Sequence, residues 1–169
     1  LDNRIRALQQ ASEDVVVVAT VPTYQPYGSI DEYAVKMFEN GGRGIGQKGK
    51  DNGLLIVVAV QDRKIKIEVG YDLEQFITDG YAGETIRQTM APDFRRGDYG
   101  AGLVAGATRI IGRIAEGRNV TLDGVKAPER ARPRRNGSGS GFITALFVLF
   151  IVINAIAGRV RRRRRGYWG

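Results

Sequence analysis

The stretch from Lys50 to Asp79, KDNGLLIVVAVQDRKIKIEVGYDLEQFITD, commits the chain to a fold built on a sheet. An acidic turn, Asp51-Asn52-Gly53, leads into an unbroken apolar run from Leu54 to Val60. A run of that kind predicts a strand covered on both faces, since no position along it suits water. Gln61-Asp62-Arg63 then turns the chain. The return segment alternates, with Ile65, Ile67 and Val69 on one face, which predicts a half-exposed strand in an antiparallel hairpin. Asp72, Glu74 and Asp79 follow. One sheet edge is therefore expected to collect Asp51, Asp62, Asp72, Glu74 and Asp79, as either a cation site or a solvated rim. Each acid alone reads as a cap or turn residue.

The flanks complete an α/β pattern. Leu1, Ile5 and Leu8 recur at helical spacing, so residues 1–12 are expected to lie as a helix on the core. Val15 to Thr20 is a β-branched run and predicts a buried strand. Ser29 and Glu32 form a capping box, and Tyr33, Met37 and Phe38 give the helix behind it an apolar face. Gly41-Gly42 stops that helix, and strand–helix–strand at this spacing is a βαβ unit. The glycine-rich stretch 42–53 lacks phosphate-loop spacing and leads into a strand, so it reads as a mobile loop.

After the hairpin, Thr78 or Asp79 caps a helix carrying Ala82, Ile86 and Met90, and Pro92 is expected to end it. Asp98 caps a last helix with Leu103, Ala107, Ile110, Ile111 and Ile114 inward, whose glycines permit close packing. Val120 to Leu122 is expected to add a short edge strand.

The net charge of +8 divides unevenly. Residues 1–125 hold 15 basic and 17 acidic side chains, whereas residues 126–169 hold 11 and 1. The basic character belongs to the C-terminal part, which removes the main support for a nucleic-acid-binding domain. Cysteine and histidine are both absent. Thiol nucleophiles, Ser-His-Asp triads and zinc sites with Cys or His ligands are thereby excluded, leaving oxygen-ligand chemistry. The chain starts at Leu1, and a cleaved signal peptide is one candidate for what preceded it.

Residues 126–140 are a Pro/Arg/Gly/Ser linker. From Phe142 to Ala157 the chain is uncharged and mostly apolar. With Gly141 and Gly158 it would make roughly 27 Å of helix, enough for a single transmembrane span presenting Phe142, Leu146, Phe150 and Ile153. Arg159 and Arg161, Arg162, Arg163, Arg164 and Arg165 follow, then Tyr167 and Trp168. The positive-inside rule places this tail in the cytoplasm, against anionic lipid headgroups or a partner protein, with the domain outside the inner membrane.

The pieces GIGQKGKDNGLLIVVAVQDRKIKIEVGYDLE and TDGYAGETIRQTMAPDFRRGDYGAGLVAG resemble the TPM-domain family over roughly Leu1 to Gly117. That family includes a thylakoid-lumen acid phosphatase, a photosystem II assembly and repair protein, and an auxiliary protein of acetylcholine receptors. Many bacterial members have a signal peptide, one extracytoplasmic domain and a C-terminal membrane helix. Asp72 stands where the family usually has glycine, and the domain's N-terminal piece is expected before Leu1. The resemblance implies a three-layer α/β sandwich with a divalent-cation site of calcium type, whose ligands by position would be Asp51, Asp62, Glu74 and Asp79.

Two functions compete. One is a metal-dependent phosphomonoester hydrolase, with Arg63 or Lys48 clamping the anion. The other, favoured by the anchor, linker and tail, is an accessory or assembly subunit of a photosynthetic or respiratory membrane complex.

Overall fold

The computed structural model describes residues 1–122. The expected linker, membrane span and arginine tail lie outside the described residues. Among the described residues no helix is long and apolar enough to cross a membrane.

Three strands form one sheet in the order β1-β2-β3: β1 (Val15–Val21), β2 (Gly53–Ala59) and β3 (Lys64–Val69). β1 runs parallel to β2, from Val15 opposite Gly53 to Val21 opposite Ala59. β3 runs antiparallel to β2, with Leu54 opposite Val69 and Ala59 opposite Lys64. The central strand is buried at every position, as its unbroken apolar run requires.

Alternate residues of β2 feed two cores. Leu55, Val57 and Ala59 meet Ile30 and Ala34 of α2 (Ile30–Glu39). Leu54, Ile56 and Val58 meet Leu8 of α1 (Asp2–Ser12) and the inner face of α5 (Tyr99–Arg118), with Ile110, Ile111 and Ile114. Helices therefore cover both faces of a mixed sheet.

Local signals set the helix ends. The Ser29 hydroxyl accepts the Glu32 amide at 3.1 Å, while the Glu32 carboxylate takes the Gly28 amide. Thr78, rather than Asp79, caps α3 (Asp79–Glu84) by accepting the Tyr81 amide, and Asp98 caps α5 by accepting the Ala101 amide at 2.9 Å. Asn40 and Asn119 close α2 and α5 in the left-handed conformation.

Two expectations are corrected. Pro92 does not end the helix before it. Thr85–Met90 forms a wider π-type turn, and the path continues as α4 (Ala91–Arg95). That turn shifts the hydrogen-bond ladder, so Pro92 falls in the first turn of α4, where its missing N–H is not needed. The glycines of α5 admit these turns closely: a methyl at Gly106 would overlap Met90. Val120 to Leu122 form no strand. The Val120 amide bonds to the Ala115 carbonyl as part of the α5 cap, and Leu122 is buried against the larger core.

Candidate functional site

The loop into β2 and the turn out of β3 meet at one end of the sheet. Asp51 has a left-handed backbone, φ 49°, and its carbonyl accepts the Asp72 amide at 3.3 Å. The Gly70 amide donates to the Gly53 carbonyl at 2.8 Å, drawing the two segments together. No side chain fits between them. A methyl at Gly53 would overlap the Ile45 carbonyl, and one at Gly70 the Asp51 carbonyl.

Asn52, only 3% exposed, holds the loop in place. Its Oδ1 accepts the Gln47 amide at 2.8 Å, its Nδ2 donates to the Glu13 carbonyl at 2.8 Å, and its own carbonyl accepts the Val15 amide at 3.0 Å. One amide side chain thus ties the glycine-rich loop to the α1–β1 junction.

Beside this junction lies a hollow of about 610 Å³ bordered by Lys50, Asp51, Tyr71, Asp72, Glu74 and Gln75. Tyr71 is 80% exposed at its rim. Lys50 pairs with Glu13, whose carboxyl is held below its usual range by that lysine. Asp72 bonds to Arg118, which also grips Asp14 with two hydrogen bonds at 2.7 and 2.9 Å. Asp14 is fully buried. Its hydrogen bonds, with those of Asp72, keep the Arg118 guanidinium charged more firmly than usual.

The four carboxylates expected to share one cation do not converge. Asp51 and Glu74 border the hollow. Asp79 lies instead in the field of Lys66 and Glu68. Asp62 sits in the β2–β3 turn, at the far end of the sheet, where its Oδ2 accepts the Tyr24 amide at 2.9 Å. Seven residues of β2 separate the ends by roughly 20 Å. Among the described residues no group of three or more acidic side chains is placed to hold a metal ion. The set therefore does not fit a single calcium site. The proposed clamps part in the same way: Lys48 belongs to the loop at the Asp51 end, Arg63 to the turn at the other.

Asn52 and the Asp14–Arg118–Asp72 network escaped the sequence reading. The available signals were an asparagine beside a buried strand and an acid directly before four valines.

Glu68 offers a check on electrostatics. It is partly buried on the α2 side of β3, 3.7 Å from Lys66. Burial pushes its carboxyl above the usual range, Lys66 opposes this, and Asp31 and Asp79 add to the rise. The unfolded chain releases this proton first, so the folded state holds more protons between the ordinary and the raised pKa. The Glu68 contribution to stability is thus complete in acid and is lost as pH climbs through that window. Glu68→Gln is expected to flatten this part of a plot of urea midpoint against pH. An unchanged slope would remove Glu68 as its source.

Fold and site together define a small α/β domain with a loop-built acidic face. The chain belongs to the TPM domain family, whose model matches residues 1–113. Among solved structures it is similar to the N-terminal domain of a P. gingivalis protein, with 26% identity, a TM-score of 0.62, and coverage of 70% of this chain and 74% of that one. It is also similar in fold to the BA42 protein of the psychrophilic bacterium Bizionia argentinensis, with 23% identity, a TM-score of 0.56, and coverage of 68% and 75%. No curated protein sequence matches it.

Proposed function

We propose that this chain is a tethered accessory subunit, its domain presented on the outer side of the inner membrane beside a larger membrane complex. The observation that carries this reading is that the candidate acids of a hydrolase do not gather around one point, although Lys48 shares the Asp51 end. Asp62 and Arg63 lie at one end of the sheet, Asp51 and Glu74 at the other. Catalysis requires acid, base and anion clamp around one reacting atom, within hydrogen-bond reach of it. At the Asp51 end the hollow is acidic, which repels a phosphate. The exposed ring of Tyr71 beside it suits a protein contact instead, since aromatic residues are enriched in such interfaces.

The tether is supported by sequence: the uncharged run 142–157, and the arginines from Arg159 to Arg165 that favour a cytoplasmic C-terminus. A photosynthetic or respiratory assembly is the host that the family resemblance suggests.

Native membranes solubilised in mild detergent, then sized and analysed by mass spectrometry, test this directly. The chain is expected to migrate at a fixed ratio inside a large complex, unchanged by Asp51→Asn or Glu74→Gln. A chain that migrates alone, or metal-dependent turnover of a phosphomonoester lost in those variants, would overturn the reading in favour of the hydrolase.

A further inference from the structure

The end of the sheet opposite the acidic face carries a second hollow, of about 480 Å³. The β2–β3 turn supplies Arg63 to its lining, the start of β3 supplies Lys64 and Ile65, and the segment from α4 to the start of α5 supplies Phe94, Arg95 and Tyr99. The rings of Phe94 and Tyr99 pack together, centroids 5.0 Å apart, and both join the larger core at their inner edges. An apolar wall thus backs a basic rim.

The charges at this end are not balanced. Of the nearby carboxylates Asp93 is paired with Arg96, while Asp62 and Asp98 accept the Tyr24 and Ala101 amides and keep their charge, and none of the three lines the hollow. The side chains of Arg63, Lys64 and Arg95 have no hydrogen-bond or ion-pair partner among the described residues. Three basic side chains and no acidic one line the apolar recess, so its rim is locally positive. Such a surface selects a partner bearing the opposite charge around an apolar anchor.

We infer that this hollow is a docking site for an acidic peptide segment of a protein partner, with one aromatic or large aliphatic side chain entering between Phe94 and Ile65. The cations come from two separate elements and flank the recess, which suits carboxylates spread along a peptide better than one compact head group. Arginine adds bidentate pairing with carboxylates. The accessory role supplies the source of such a peptide, and in that respect the inference rests on it. The binding itself stands apart from it.

The test is an amide NMR titration of the full chain with three five-residue peptides. One has a phenylalanine between paired acids, one replaces the phenylalanine by alanine, and one replaces the acids by lysines. The acidic phenylalanine peptide is expected to shift the amides of residues 63–65 and 91–99. Its affinity should drop by about tenfold in the alanine peptide or in about 0.5 M salt. Arg95→Glu should weaken it by about tenfold or more. Arg63→Asn should do so less strongly. Asparagine is the choice at position 63 because the backbone there is left-handed, φ 53°. Both arginines are exposed, so the remaining spectrum reports whether the fold is kept.

Shifts confined to other residues, equal binding of the lysine peptide, or unchanged affinity in both variants would overturn the site. The two proposals fail separately. A chain that migrates alone in detergent yet binds the acidic peptide would sink the membrane-complex reading and leave this site standing.

Discussion

Replacing Arg118 by alanine is expected to lower the stability of the domain by about 3 kcal/mol, read as a fall in the urea or guanidinium midpoint without a change in slope. The reason is what the substitution leaves behind. Asp14 is fully buried, and both its carboxylate oxygens are met by the Arg118 guanidinium. Without that partner a carboxylate is stranded away from water, which costs far more than the pair itself contributes. Asp72 loses its ion pair as well, but it is partly exposed and rehydrates. The double variant Asp14→Asn with Arg118→Ala is expected to recover part of the loss, because the stranded charge is gone. If Arg118→Ala were neutral, or if Asp14→Asn made it worse, the network would not be the tie described.

Gly53→Ala is expected to be comparably damaging, by a different route. The added methyl would occupy the position of the Ile45 carbonyl, which is backbone and cannot turn aside like a side chain. Either the glycine-rich loop lifts from the sheet or β2 shifts at its first residue. Overpacking of a closed site costs about 1–3 kcal/mol, and lifting the loop adds the hydrogen bonds of Asn52 to Gln47 and Glu13. The expected total is about 3 kcal/mol, with NMR shifts spreading to Asp51 and Asp72. Gly49→Ala is the control. Its φ is 77° and nothing lies within contact distance of an added methyl. Only the left-handed backbone is strained there, at about 1–2 kcal/mol. Equal effects at positions 49 and 53 would show that conformation, and not contact, sets the cost.

Much of the fold was legible because local patterns and tertiary demands agree. The unbroken run of β2, the alternation of β3, the Ser29 cap and the Asp98 cap each encode their state within a few residues. Pro92 was misread because a proline signals a helix end only relative to the ladder it interrupts. A π-type turn one step earlier changed that ladder. Val120 to Leu122 look β-prone in isolation, yet the Val120 amide is taken by the Ala115 carbonyl at the end of α5.

The candidate site was less legible, for a geometric reason. Carboxylates that cluster along a sequence do not cluster in space when a hairpin intervenes. The turn holding Asp62 and the two open ends holding Asp51 and Glu74 must lie at opposite ends of an antiparallel pair. The acid that proved most buried, Asp14, belongs to no recognisable motif. Its partner lies 104 residues away, a separation no local pattern can encode.

That long separation has a consequence for the order in which the domain can be completed. Asp14 precedes Arg118 by 104 residues, so a chain made from its N-terminal side presents the carboxylate well before its partner. The burial of Asp14 at the head of β1 is answered only once the last turn of α5 is in place. The β2–β3 hairpin can form early, since its partners are neighbours in sequence. The parallel seam between β1 and β2 joins segments much further apart in the sequence, at a larger loop-closure cost. The last turn of the last helix is thus what fastens the entry to the first strand.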